Sequence, residues 1–340
     1  MQISTVPAPL VKALLDAAQR KGCDRAALLS TVNVGEEMLA GSRARVPSSV
    51  YSQLTELITE ELQDEYCGLA GTRAKPGTFA MMCYACIHCP SLGSFLQRTT
   101  EYHGIVSDSS NIELQLDSEV ARYIYTPLDN KADPDHLLTM SLLAIAHRLA
   151  SWLVGQNIPL VRVNLAHPRP DHAASYNMLF RCPVKFDQAE NSIVLSAKYL
   201  EMPTRQTEQT LESFLNTAGP QLMASPDTSD SHAARVSKLI AEAVNQDFPD
   251  FNWVASQLHT TAATLRRRLR SEGTSYQQLK DDLRRDTAIY NLNKGVLSIE
   301  EVAQSVGFAE PTSFFRAFKR WTGVTPRVYI LKGKDLNPSD

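Results

Sequence analysis

The chain contains no G-x-S-x-G, no P-loop and no H-E-x-x-H. It therefore lacks the usual residue sets for nucleophile-elbow hydrolysis, nucleotide-phosphate cradling and zinc proteolysis, and no enzyme or cofactor is expected. An unbroken apolar run of membrane length is also missing. The most apolar segment, Leu137 to Val154, is interrupted by His147 and Arg148, so it predicts a buried or interface helix rather than a membrane span, and no membrane partner. Met1 to Leu15 has neither the basic start nor the cleavage-site pattern of a secretory signal. A cytoplasmic location is expected, where the six cysteines stay thiols. Low-complexity segments are absent as well.

What is present suffices for two or three packed domains: 340 residues, 43% of them hydrophobic. The formal charge of −3 conceals an asymmetry. His232 to Lys334 carries 16 Lys and Arg against 10 Asp and Glu, net +6, while the remainder carries 18 against 27, net −9. A basic end on an acidic body is the distribution expected when only that end meets phosphate.

Within the basic end, Ser298 followed by Glu301 has capping-box spacing. It predicts a short helix from Ile299 to Ser305 with Ile299, Val302, Ala303 and Val306 turned inward, ended by Gly307. Pro311 suits the first position of a second helix, in which Phe314, Phe315, Phe318 and Trp321 recur at helical spacing. Arg316, Lys319 and Arg320 fall on other faces. A basic amphipathic helix taken alone is more often a solvated surface than a nucleic-acid site.

A similar pattern can be read upstream. Asn252 is read as the cap of a helix through Trp253, Val254, Ala255 and Leu258, and Thr260 or Thr261 as the cap of Ala262 to Glu272. In the latter, Leu265 and Leu269 face inward while Arg266 and Arg267 face outward. Between the pairs, Ser275 to Asn293 predicts one unbroken helix ended near Gly295. At ~1.5 Å per residue it spans roughly 28 Å, close to the ~34 Å of one DNA turn.

The string GFAEPTSFFRAFKRWTGVTP resembles the second helix-turn-helix of the AraC/XylS family of transcription regulators, and TLRRRLRSEGTSYQQL is similar to the first. One departure stands out: His259 occupies the turn position where glycine is usual, at a cost of order 1 kcal/mol if φ is positive there. The resemblance implies double-stranded DNA as partner. It implies base contacts from Ala263, Arg266 and Arg267 in the first recognition helix and from Thr312, Ser313 and Arg316 in the second. Arginine suits guanine because its planar fork reaches O6 and N7 together. Arg266, Arg267 and Arg268 are open to exchange of roles. Thr274, Ser275, Lys319 and Arg320 are better placed for phosphate.

For the N-terminal part, packing helices are expected over Pro9 to Lys21, from Asp24 through Leu29, and over Pro47 to Glu65. After Gly77 comes the apolar tract FAMMCYACIHC, then a helix from Ser91 to Val106. Ile112 to Leu116 and Val120 to Tyr125 read as a hairpin, and a long helix covers Asp133 to Gly155. Leu160 to Leu165, Val184 to Phe186 and Ser192 to Leu195 read as strands, with a helix-like stretch from Asp171 to Phe180 and another helix from Glu208 to Met223. This pattern predicts an α/β or α+β domain followed by an all-α one. His167 to Thr204 resembles the "arabinose-binding type" N-terminal domain of one AraC subgroup, a label that does not establish a sugar ligand.

The expected organisation is a regulatory domain over 1–224, a linker over 225–232 and a DNA-binding domain over 233–334. Its helix-turn-helix motifs lie near 252–273 and 298–321. The resemblance implies a small-molecule effector, self-association as a homodimer, or both, with RNA polymerase a further candidate partner. Two alternatives stay open: an N-terminal domain that only dimerises, and a thiol or metal sensor built on Cys83, Cys86 and Cys89 beside His88. Those cysteines equally suit packing as small hydrophobes, and no fourth ligand is evident at a matching spacing. His147 is read as a hydrogen-bonded core or interface residue before a ligand or switch. Arg122, Arg162, Arg169 and Arg181 are candidates for an anionic effector, each with a surface or salt-bridge alternative.

Overall fold

A computed structural model of the 340-residue chain describes residues 5–39, 44–129, 131–170, 173, 176, 179–180, 182–218, 232–243, 248–272 and 274–334. In chain order the elements begin with strand β1 (Thr5–Pro7), helices α1 (Ala8–Arg20), α2 (Arg25–Thr31) and α3 (Glu36–Leu39), and strand β2 (Arg45–Pro47). Helices α4 (Ser48–Leu62), α5 (Thr78–Cys86) and α6 (Leu92–Val106) precede the hairpin β3 (Ser110–Leu116) and β4 (Val120–Pro127). Next come helix α7 (Leu137–Leu153), strands β5 (Leu160–Asn164), β6 (Val184–Lys185) and β7 (Asn191–Ser196), and helix α8 (Glu208–Ala218). The last seven helices are α9 (His232–Ala243), α10 (Phe251–Gln257), α11 (Ala262–Ser271), α12 (Tyr276–Lys294), α13 (Ile299–Ser305), α14 (Pro311–Thr322) and α15 (Pro326–Lys334).

Two compact units result. One comprises residues 13–23 and 52–228; the other comprises 1–12, 24–51 and 229–340. In the first, a five-stranded sheet runs β3-β4-β7-β5-β6, antiparallel except for the parallel β5–β6 pair. Strand β7 is central, and its residues from Asn191 to Leu195 are buried, whereas β3 at the edge exposes Leu116 and alternate polar residues. Helix α7 packs on β4 and β7, burying eleven residues from Leu137 to Leu153. It starts later than Asp133 because that carboxylate accepts the Thr139 backbone N–H (3.1 Å) and His136 adopts a left-handed conformation (φ 56°) at the cap. Helix α6 starts where expected, with Ser91 and Ser94 forming a capping box. Helix α4 stops at Leu62, and Gln63 turns left-handed (φ 52°).

Several expectations fall outside the described residues: most of 171–180, Arg181, 219–223 of the helix expected to reach Met223, and the linker apart from His232. His147 is a buried core residue whose Nε2 lies 2.7 Å from the Ile158 carbonyl; burial lowers its pKa to about 4, so the neutral ring donates that bond. Arg122 pairs with Glu190 (3.1 Å) and Gln115 (2.9 Å), Arg162 bonds Asn164 (3.2 Å), and Arg169 lies 5.7 Å from the Phe186 ring centroid. Cys83, Cys86 and Cys89 are buried, and desolvation pushes the first two thiols up, to about 12 and about 11. His88 turns instead to exposed Glu208 (2.8 Å). Among the described residues no three His, Cys, Asp or Glu side chains gather as a metal site, and no helix is long and apolar enough to cross a membrane.

Candidate nucleic-acid interface

The two helix pairs of the second unit are two copies of one local design. In α10–α11, Asp250 caps the first helix by accepting the Asn252 backbone N–H (2.8 Å). The expected cap, Asn252, is instead inside the helix, because a carboxylate two residues earlier reaches the open N–H groups first. Thr261 caps α11 by accepting from Thr264 (3.2 Å). In α13–α14 the Ser298–Glu301 capping box forms in both directions, and Pro311 takes the first position of α14.

Both turns are Schellman motifs. The Thr260 N–H bonds the Ala255 carbonyl and the His259 N–H that of Ser256, both at 3.0 Å. Phe308 bonds Ala303 (3.0 Å) and Gly307 bonds Gln304 (2.9 Å) in the same pattern. The left-handed position is His259 (φ 49°) in one and Gly307 (φ 75°) in the other. Behind each turn lies its own core. Val236, Ile240, Val254, Ala255, Leu265 and Leu269 form the first. In the second, Phe318 stacks obliquely on Phe314 (centroids 5.5 Å) and edge-on to Tyr329 (5.6 Å).

Helix α12 joins the pairs. Ser275 caps it by accepting from Gln278 (3.2 Å), and Gly295 closes it in the left-handed conformation. Its first half packs Tyr276, Leu279 and Leu283 on the first core, and its second half buries Ala288, Ile289 and Leu292. At its midpoint the Arg284 guanidinium lies 4.2 Å from the Phe248 ring centroid and 5.0 Å from that of Phe308, and donates to the Gly307 carbonyl (3.3 Å). A residue preceding the first motif and the turn of the second are thereby held by one side chain. A Cβ on Gly307 would come within 2.6 Å of the Phe248 ring.

The N-terminal ribbon of the same unit is fixed to α12 too. Strands β1 and β2 pair antiparallel. Buried Arg45 donates from Nε to Thr5 Oγ1 and from Nη2 to the Thr5 carbonyl, both 2.7 Å, and Thr5 Oγ1 donates to Asp286 (2.7 Å). Arg285 bonds Asp282 (2.7 Å) and Asp286 (2.9 Å). Burial lowers the Arg45 pKa to about 9, with nearby Arg285 contributing in the same direction and Asp286 and Asp282 opposing it. Two buried arginines thus face two part-buried carboxylates, a charge-compensated network.

Of the expected base-reading residues, Ala263, Arg266 and Arg267 are exposed on α11, and Thr312 and Arg316 are exposed on α14, with Ser313 half-buried. The Arg266 guanidinium sits 5.3 Å from the Phe251 centroid, which orients it along its own motif. Of the expected phosphate contacts, Lys319 and Ser275 are exposed and Thr274 is half-buried; the Ser275 oxygen already serves as helix cap. Arg320 is exposed and has Asp281 at 3.8 Å. Arg284, Phe248, Thr5 and Arg45 were not singled out by spacing. They lie on no common helix face and meet only in the fold.

Residues 22–204 match the family model described as the arabinose-binding domain of AraC transcription regulator, N-term, and residues 254–331 match the helix-turn-helix domain model. The Ornithine utilization regulator of Pseudomonas aeruginosa is 30% identical over 325 residues, 95% of this chain and 96% of that one. The HTH-type transcriptional regulator VqsM of the same species is 27% identical over 193 residues, 54% and 56% of the two chains. Among solved structures, the transcriptional regulator CdpR from Pseudomonas aeruginosa aligns with a TM-score of 0.33 and 25% identity, covering 83% of this chain and 90% of that one. With the first family model spanning more than half of the chain and the second falling on the paired motifs, the chain belongs to the AraC family of DNA-binding transcription regulators.

Proposed function

We propose that α11 and α14 enter successive major grooves on one face of a duplex, held in register by α12, and that a small molecule bound in the N-terminal part adjusts how often both engage together. The observation that carries the first half is the repeated Schellman-turn motif on either side of a 19-residue helix. At ~1.5 Å per residue that helix is comparable in length with one DNA turn. Ala263, Arg266, Arg267, Thr312, Ser313 and Arg316 face base edges; Thr274, Ser275, Lys319 and Arg320 serve phosphates. Residues from about 233 to 334 are the DNA reader in this reading, and the chain acts in the cytoplasm as a homodimer.

Support for an effector comes from a cavity of about 770 Å³, its open mouth included, within the unit 13–23 and 52–228. The Ornithine utilization regulator's name ties that relative to the use of a small organic compound, and a small organic effector is the corresponding proposal here. A ligand shifts such an equilibrium only by its differential affinity for the two states. The test is selection of a binding site from random duplex, followed by titration of the full chain with compounds that raise its thermal midpoint. An effector changes the affinity for the selected site. A chain whose N-terminal part only dimerises binds the site without responding to any of them.

A further inference from the structure

The cavity's chemistry narrows the ligand class. It lies among α5, α6, α7 and the β3–β4 hairpin, with an interior volume of about 100 Å³, the same order as the roughly 150 Å³ of an apolar cavity that binds benzene. That is room for a compact body, not a long chain. Six aromatic rings line it: Tyr66, Phe79, Phe95, Tyr102, Tyr123 and Tyr125. Helix α7 adds Leu142, Ile145 and Leu149. Among the described lining residues there is no lysine or arginine, and the single acid is Glu65. His103 also lines it, with Nε2 2.9 Å from Ser110 Oγ, and burial holds its pKa below the ordinary value, leaving the ring neutral.

Two of the four lining phenols, Tyr102 and Tyr123, have their protons engaged within the fold. Tyr102 donates to the Thr78 carbonyl (3.3 Å). Thr99 donates to the Leu96 carbonyl (2.7 Å), so in its 3.3 Å contact with Tyr123 it accepts, and the Tyr123 phenol is the donor. The Glu65 oxygens accept one backbone N–H each, from Gly77 (2.6 Å) and Phe79 (2.9 Å). The Tyr102, Tyr123 and Glu65 oxygens keep lone pairs that these bonds do not use; burial raises the Glu65 pKa, and its two backbone N–H bonds oppose that rise. A hollow that carries one acid, no lysine or arginine among its described lining residues, and walls of aromatic rings favours a cationic donor over an anion, through charge and through the π faces.

We infer that the cavity takes a compact organic monocation, an ammonium group on an apolar body about the size of one ring. This rests on the reading that the cavity is the effector site. The test compares three ligands sharing one skeleton on the unmodified full-length chain: phenethylammonium, 2-phenylethanol and 3-phenylpropionate, at equal ionic strength, read by the thermal midpoint. Phenethylammonium is expected to raise the midpoint saturably, with an apparent affinity at least about tenfold above the alcohol and the carboxylate. Glu65→Gln should erase that advantage while leaving the alcohol's effect, and Ala146→Phe, which fills the hollow, should abolish all three. Because the three-ligand comparison uses the unmodified chain, it decides the matter even if Glu65→Gln fails to fold. Equal or tighter binding of the alcohol or the carboxylate overturns the cation assignment but leaves an effector cavity standing. No saturable shift from any of the three overturns both.

Discussion

His259 and Gly307 occupy the same place in two copies of one turn, each donating its N–H to the carbonyl three residues back from a left-handed backbone. Their surroundings differ. A Cβ is carried at 259, whereas at 307 it would press into the Phe248 ring.

The first prediction follows from that asymmetry. His259→Gly should stabilise the chain by about 0.5–1 kcal/mol by removing left-handed strain, net of the greater freedom glycine has when unfolded. Gly307→Ala should destabilise it by about 2 kcal/mol or more, strain and overpacking acting together. Urea midpoints report both. If Phe248→Ala fails to recover part of the Gly307→Ala loss, the steric share of this account is wrong.

The second concerns the network under α12. Asp286→Ala removes the acceptor for Thr5 and one of two for Arg285, leaving buried positive charge undercompensated, and should cost roughly 3–5 kcal/mol. Thr5→Val removes no charge but leaves the buried Arg45 Nε without its acceptor and should cost less, about 1–3 kcal/mol. Equal losses in denaturant titrations would show that the charges are not coupled as described.

A third prediction is pH dependence through His147. Its folded pKa, about 4, lies below the unfolded 6.5, so between those values the unfolded chain binds more protons. Stability from this group is complete above pH 6.5 and is lost as pH falls towards 4, by about 3 kcal/mol in total. His147→Gln keeps an N–H for the Ile158 carbonyl without titrating. The difference in thermal midpoint between wild type and variant should shrink steadily over that range; a constant difference contradicts the assignment.

How much of this was legible in the sequence depended on range. The Ser298 cap, the choice of Thr260 or Thr261 as cap, the helix starts at Ser275 and Ser91, and the stops Gly295 and Gly307 act within four residues and were readable from spacing; that Ser275 and Ser91 serve as caps comes from the structure. Asn252 misled because Asp250, two positions earlier, offers the stronger acceptor. The Thr5–Asp286 bond spans 281 positions, and Arg284 meets Phe248 and Phe308 only once α12 has packed; no periodicity announces such contacts. The cavity is likewise assembled from residues between Glu65 and Leu149 whose spacing has no common period. The burial of the cysteines was open from sequence, since the same C-x-x-C-x-x-C spacing serves a metal or a core.

The fourth prediction separates base from phosphate contacts. Arg316→Ala should cost roughly 1–3 kcal/mol on the selected site and relax preference at one base pair. Lys319→Ala should weaken all duplexes alike and lower the slope of log K against log salt by about 1. Quantitative gel shifts over a salt series distinguish the two, and identical behaviour of both variants on every sequence would refute the division.

The most direct test is a hydroxyl-radical footprint of the full chain on its selected site. Two protected patches on one face, centred about 10–10.5 base pairs apart, are predicted, and inserting half a helical turn between them should abolish joint protection. A single patch that is indifferent to the insertion would contradict the account.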